Sequence, residues 1–478
     1  MSHCLRWTGM LLFLSILVPA IWAQDSSQTG QSAPAGTPSQ TVANPASAQS
    51  NSGSQIQPDT HPLAGAYLFT LGSLAEGHNY LQPEFSIGEM AATNPGYVPN
   101  AKQQLTTATV PEGSLLLVSN SRRNSFSAGY LGGGYIYNNA PGLSAAFQSA
   151  SVSDGIQFRR MSLGISDSFS YLPESAFGFG SFGGLGGLGS GSFGSFGSFG
   201  GGLGQINPSY MPSQSILTGQ VGSYTNTALV QAQYALSART SLTAVGSYGI
   251  FQARQHQSGF LSGNMIGGSA SIGRALTPRD TIGVSYQYGT FHYSGLAESF
   301  NSNSVNFNYG RKITGRLALQ LSGGPEFIHT RIGSLNHAET LASAFGDLTY
   351  ARGRNRFGVS GGRYASTGSG ILAGADTEEV TGSWSRQLAR KLSSQVSAGL
   401  ARNSALVGGP SAGSHYEYWY GGASLNWALG RYISLYANYD YQRQVTNAGP
   451  CTTAVCAGNI ARQLFGIGFI FTPRPIGL

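Results

Sequence analysis

The feature of this chain that most restricts its fold is a two-residue alternation of apolar and polar side chains, which recurs from Phe126 to the C-terminal end. Residues 281–292 read TIGVSYQYGTFH and residues 317–322 read LALQLS, so large apolar residues alternate with small polar ones. Successive side chains of a β-strand point to opposite faces, and each segment therefore has one apolar and one polar face. The pattern predicts an all-β chain.

The alternating segments are separated by connections that are short and long in turn, which is typical of an up-and-down meander of antiparallel strands. We predict about sixteen strands, and the soft boundaries leave fourteen or eighteen open. The predicted strands are residues 126–137, 143–158, 161–171, 224–236, 241–252, 263–274, 281–292, 301–311, 316–327, 341–351, 356–365, 377–388, 391–401, 416–428, 431–444 and 459–472.

The amino-acid composition excludes several classes of protein. Only 9% of the 478 residues are charged, against about 25% in an ordinary soluble domain, and 69 residues are glycine. The apolar fraction of 41% and the mean hydropathy of −0.08 argue against a polytopic helical membrane protein and against a fully disordered chain. The net charge of +7 does not indicate nucleic-acid binding, because most Lys and Arg residues lie in or beside the short connections.

The N-terminal part divides into three segments. Residues 1–23 are predicted to be a secretory signal peptide, because Arg6 precedes an apolar run that is too short to span a bilayer. Residues 24–60 are rich in Ser, Gln, Ala and Pro and are predicted to be a disordered linker. Residues 61–125 have no sustained period, and we expect a periplasmic or plug-like segment of unknown fold. The periodic region is residues 126–472, and residues 473–478 form a C-terminal tail.

In the last predicted strand, the aromatic residues Phe465, Phe469 and Phe471 lie on the same face of the strand. With the short turns and the two-faced strands, this chain resembles the bacterial outer-membrane β-barrels of the porin-like type, although it matches no particular named family. The resemblance implies a closed transmembrane barrel in the outer membrane of a Gram-negative cell, with both termini periplasmic. It also implies that the aromatic strand is a signal for the barrel-assembly machinery.

Several residues are predicted to have roles in such a barrel. Asp347, Glu379 and Asp440 are candidates for lining the lumen, because they fall on the polar faces of their strands. Cys451 and Cys456 are expected to form a disulfide in the oxidising periplasm, and zinc or redox use would need further ligands that are not nearby. Basic short turns are expected to meet phospholipid phosphates, and an acidic opposite rim to meet lipopolysaccharide through divalent cations.

The function expected from this reading is a passive channel for small hydrophilic solutes. The alternative is a structural or adhesin-like surface protein whose lumen is plugged by residues 61–125 or by the Gly/Phe-rich loop 177–204. A homo-oligomer is possible, but no face identifies a contact. An outer-membrane hydrolase is a remote alternative, because external histidines occur without a spacing that fixes a catalytic triad. We therefore predict no enzyme, no catalytic residue, no metal and no cofactor.

Overall fold

The computed structural model describes residues 79–96, 98, 104–121, 123–172, 216, 222–253, 262–294, 298–332, 335–366, 372, 374–406, 414–447 and 458–478. Among these residues no helix has the length and apolar character that a membrane crossing needs. The strands are Tyr80–Thr93 (β1), Leu105–Asn120 (β2), Asn124–Tyr137 (β3), Ala145–Gln157 (β4), Met161–Leu172 (β5), Ser223–Ser237 (β6), Thr240–Ala253 (β7), Gly263–Ala275 (β8), Asp280–Tyr293 (β9), Glu298–Thr314 (β10), Leu317–Ile332 (β11), Leu335–Arg352 (β12), Asn355–Ser366 (β13), Ala375–Ala389 (β14), Leu392–Ala405 (β15), His415–Ala428 (β16), Ile433–Thr446 (β17), Ile460–Phe471 (β18) and Ile476–Gly477 (β19).

The strands form one closed antiparallel ring. Each strand from β1 to β17 pairs with the next strand in the sequence, and β18 pairs with β1, from Phe471 opposite Phe85 to Leu464 opposite Ala92. The short β19 extends this seam by pairing with the first two residues of β1. Closure pairs the backbone groups of the first and last long strands, as a sheet in hydrocarbon requires. The predicted up-and-down β-barrel is confirmed, with eighteen long strands where the sequence predicted about sixteen.

The two additional strands, β1 and β2, come from residues 61–125. The prediction of a periplasmic or plug-like segment is wrong for the part of that segment that the structure describes, because residues 80–93 and 105–120 are barrel wall. Their alternation is hard to see in the sequence because polar residues and a proline take outward positions: Glu89 lies opposite Thr109, and Pro111 lies opposite Ile87. A mixed outward face removes the apolar stripe on which the strand prediction depends.

The two faces of the wall differ as the alternation predicts. Along β9, Val284 and Tyr286 keep 47% and 48% of their surface exposed, whereas the intervening Ser285 keeps 4%. Phe465, Phe469 and Phe471 are likewise about half exposed on the outer face of β18. Large apolar side chains therefore face outward, and small polar side chains face the interior of the ring. This is the arrangement of a barrel that meets lipid outside and water inside.

The eight connections at one end of the barrel have two to four residues, whereas those at the other end have between two and 50. We call these ends the short-turn rim and the long-loop rim. Each short turn contains an arginine; these are Arg123, Arg160, Arg239, Arg279, Arg316, Arg354, Arg390 and Arg431. In three of the turns a Ser or Thr hydroxyl two residues earlier accepts a hydrogen bond from the arginine N–H, at 3.1 to 3.2 Å. This local turn is common for Ser and Thr and fixes the arginine backbone.

The short turns are also joined to one another. In each short turn, the carbonyl oxygen of the last turn residue accepts a hydrogen bond from a backbone N–H. The donor lies at or beside the short-turn end of the second strand after the turn. Examples are Gln157 N to Arg123 O at 2.7 Å and Ala235 N to Arg160 O at 2.8 Å. The same bond recurs at every later short turn, up to Thr472 N to Tyr432 O at 2.8 Å. The result is a continuous, basic short-turn rim.

Candidate functional site

The candidate site is the inner face of the barrel, much of which is lined by hydroxyl and amide groups. Many of these side chains bond across neighbouring strands, so the lining is ordered by the wall itself. Ser127 and Ser153 are 2.6 Å apart, Ser360 and Thr381 are 2.8 Å apart, and Thr377 donates to Asn403 at 2.9 Å. Such groups leave donors and acceptors for water or for a polar solute.

Charge on the inner face is unevenly distributed. In the described parts of β4 to β9, the inward positions carry no Asp, Glu, Lys or Arg. The inward acids lie elsewhere, on β1, β2, β11, β12, β14 and β17; they are Glu84, Glu112, Glu326, Glu339, Asp347, Glu379 and Asp440. Inward bases occur on β10, β13 and β18; they are Lys312, Arg356 and Arg462.

The structure places Asp347, Glu379 and Asp440 on the inner face but does not bring all three together. Asp347 on β12 lies opposite Gln320 and Ser360 and is 7% exposed. Glu379 on β14 accepts a hydrogen bond from the Tyr364 hydroxyl at 3.0 Å.

Asp440 lies apart from the other two acids, on β17, where it accepts a bond from the Asn438 amide at 3.0 Å. It also interacts electrostatically with Arg462, whose side chain is 1% exposed. The sequence pattern does not single out Arg462, because a lone arginine in a strand gives no sign that it faces an acid on the neighbouring strand.

The other predicted residues have different outcomes. Cys451, Cys456 and the Gly/Phe-rich loop 177–204 lie outside the described residues, and the disulfide stays a prediction. Among the described histidines, His292 and His329 point outward on β9 and β11, away from the lumen. No group of three or more His, Cys, Asp or Glu residues in the described part of the chain is placed to hold a metal ion.

The long-loop rim narrows the entrance to the barrel. Ile216, from the β5–β6 connection, is fully buried against Leu372, Ala375 and Tyr416. Leu372 belongs to the connection before β14, Ala375 to β14 and Tyr416 to β16, and all three lie on a part of the ring distant from β5 and β6. Ile216 is only seven positions before the start of β6 at Ser223, a reach of about 25 Å at full extension. The contact therefore lies across the mouth.

A second apolar cluster lies beside this contact. Leu406, from the β15–β16 connection, packs with Met265, Phe291 and Phe300 on β8, β9 and β10. Gly374 has a φ of +93°, which favours glycine, and a Cβ at this position would lie only 3.1 Å from the Phe300 ring. Side chains from loops and walls that are far apart in the sequence therefore meet at the mouth, which no local pattern predicts.

The outer face carries a row of alternating charges near the long-loop rim. Arg363, Glu378, Arg402 and Glu417 lie directly opposite one another on four consecutive strands, β13 to β16. Arg363 binds Asp376 through two hydrogen bonds, at 2.8 and 3.2 Å, and approaches Glu378 at 3.6 Å. Exposed Trp419 and Leu400 lie one step nearer the middle of the barrel. The row of charges therefore marks the edge of the apolar outer face that is nearer the long-loop rim.

These features define a class: a wide, closed antiparallel β-barrel with an apolar outer face and a polar inner face. No protein-family model matches the chain, and no curated protein matches it. Among solved structures, it is similar to the outer membrane protein OpdK from Pseudomonas aeruginosa, with 10% identity and a TM-score of 0.41; 82% of this chain and 99% of that chain are covered.

Two further solved structures show the same degree of similarity. OccAB4 from Acinetobacter baumannii is 9% identical with a TM-score of 0.42, covering 83% of this chain and 99% of that chain. Pseudomonas aeruginosa OccK2 (OpdF), solved in complex with glucuronate, is 9% identical with a TM-score of 0.41, covering 82% of this chain and 98% of that chain. Similarity of this extent carries no information about what passes through the present barrel.

Proposed function

We propose that this protein is an outer-membrane barrel that acts as a passive channel for small hydrophilic solutes. The observation that carries the proposal is the closed ring of eighteen strands with a hydroxyl- and amide-lined inner face. A ring of this size is too wide for its own wall side chains to fill, and such barrels leave an aqueous channel. Asp347, Glu379 and Asp440 would line the solute path.

The charge on the inner face favours neutral and cationic solutes. Acidic side chains face the lumen on both sides of the uncharged β4–β9 wall, and a wall of one sign raises the local concentration of counter-ions. Two of the three inward bases add little positive charge to the middle of the lumen. Arg462 is beside Asp440, and Arg356 is two residues from a short turn and therefore near the rim. We therefore expect cations to pass more readily than anions.

The surroundings of the barrel follow from its outer face. Exposed apolar residues such as Phe158, Leu236 and Leu276 lie within three residues of turn arginines, and we therefore expect those guanidinium groups at the edge of the hydrocarbon. There they would reach phospholipid phosphates, while the charged row on β13 to β16 would meet lipopolysaccharide. In this orientation the short-turn rim and both termini are periplasmic, after export by the signal peptide.

A plugged surface protein is the second candidate, and the contact of Ile216 across the mouth favours it. The two proposals differ in whether the described loops close the lumen or only narrow it. Planar-bilayer recordings of the purified full-length protein distinguish them. The channel predicts steady current from the unaltered protein, and a reversal potential in a KCl gradient that shows cation preference.

Substitution of the mouth contact sharpens this test. Ile216→Ser places a hydroxyl in the apolar cluster and is expected to release the loop, so that conductance rises by a modest factor if the lumen is already open. The matched control is Ile266→Ser, which changes an outward residue that is 50% exposed. A protein that is silent until Ile216 is replaced is a plugged barrel, and the channel proposal is then wrong.

A further inference from the structure

Two carboxylates share the inner wall beside the closing seam. Glu84 on β1 lies opposite Ser114, and Glu112 on β2 lies opposite Ser86, so the two acids are diagonal neighbours on adjacent strands. They are close enough for Glu84 to act electrostatically on Glu112. Both alternate with outward residues such as Phe85 and therefore face the lumen, where each remains partly accessible.

Neither carboxylate has a cationic partner among the residues that the structure describes. Glu84 accepts a hydrogen bond from the Thr472 hydroxyl at 3.1 Å, and no Lys or Arg pairs with it. The inward arginine on the adjoining strand, Arg462, acts on Asp440 instead. A partly buried negative charge without a partner is unfavourable, and a cation from solution would stabilise it.

Three oxygen atoms at this place are buried without a hydrogen-bond partner in the described structure: Glu112 Oε2, Ser86 Oγ and Tyr436 Oη. Tyr436 belongs to β17 and is 2% exposed, yet its hydroxyl reaches across β18 to β1. It can do so because Gly468 and Gly88 lie beneath it, where any Cβ would overlap with the phenol oxygen. Tyr436 thereby comes close enough to Glu112 for an electrostatic interaction.

We propose that Glu84, Glu112, Ser86 and Tyr436 form a binding station for the ammonium group of a small organic cation. A primary ammonium has three N–H donors, and the station offers carboxylate and hydroxyl oxygens that can accept them. Charge-assisted hydrogen bonds of this kind are shorter and stronger than neutral ones. Two carboxylates are fewer ligands than a dedicated metal site uses, which favours an organic cation. The station rests on the proposed channel, because solutes reach it through the lumen.

Calorimetric titration of the full-length protein in detergent with 1,4-diaminobutane tests the station. Glu112→Gln and Glu84→Gln are each expected to weaken binding at least tenfold, and Tyr436→Phe to weaken it by a smaller factor. The matched control is Glu89→Gln, which removes the same charge from the outward face of the same strand. Two substituted acids are used so that a folding defect in one variant leaves the other informative.

Diamine binding and bilayer current together distinguish a failure of the proposed binding station from a failure of the proposed channel. Unchanged diamine affinity in both Glu112→Gln and Glu84→Gln overturns the station, as does an equal loss of affinity in Glu89→Gln. A protein that carries current in bilayers but does not bind the diamine refutes the station alone. A protein that binds the diamine through these acids but stays silent in bilayers refutes the channel and supports the station.

Discussion

The outward position of Leu321 gives the most direct test of the barrel's orientation towards lipid. Leu321 is 46% exposed and lies opposite Tyr309 and Gly346 on the neighbouring strands. Leu317 and Phe327, at the two ends of the apolar outward-facing part of β11, are ten positions apart, a rise of about 25 Å along the membrane normal at a tilt of about 40°. Leu321 is four residues from Leu317, at the short-turn end of β11, and therefore lies near the bilayer midplane.

Leu321→Arg is expected to destabilise the barrel by about 2–4 kcal/mol, which is the cost of an arginine on the lipid face at the midplane. The assay is folding into lipid vesicles in a urea series, followed by the heat-modifiable shift in gel migration. The control is Ser322→Arg, whose side chain faces the lumen and is expected to cost less than about 1 kcal/mol. Equal destabilisation by the two substitutions, or a larger effect at position 322, would refute the assignment of the faces.

Three other predictions concern the closing seam and the C-terminal part. Gly88→Val is expected to lower the folded fraction severalfold because its side chain overlaps with the Tyr436 hydroxyl, and the double variant with Tyr436→Ala should regain part of it, as measured by heat-modifiable migration. Phe469→Ser is expected to reduce assembly into the outer membrane, measured by protease-resistant barrel in fractionated cells. Cys451 and Cys456 are expected to resist thiol alkylation until a reductant is added; labelling without reductant would contradict the disulfide.

The sequence predicted most of the wall because lipid imposes a simple rule on outward residues. Where outward positions are Ile282, Val284 or Leu321, the alternation is visible and the strand was predicted within a few residues. The rule fails where the outward residues are polar. β1 has Glu89 at such a position, and the polar segment 328–340, predicted as a connection, continues β11 and β12 to a link of two residues.

The interior could be predicted only in part. The inward faces of Asp347, Glu379 and Asp440 follow from strand alternation, which is local. The pairing of Tyr436 with β1 depends on glycines at positions 88 and 468, which are 380 residues apart and become neighbours only when the ring closes. Contacts of this kind are set by the register of the closed sheet, and the alternation within one strand does not show which distant residue lies opposite.

The net charge of +7 would by itself suggest a preference for anions, and the structure shows why it is a poor guide here. The turn arginines lie on the short-turn rim, whereas Glu84, Glu112 and Asp347 line the interior. Charges separated by more than about 8 Å are largely screened at physiological ionic strength, so a solute inside the barrel responds to the wall beside it. On the described inner face acids outnumber bases, whereas eight arginines of the chain lie in the short turns, and we therefore expect the sign of the lumen to be opposite to that of the chain.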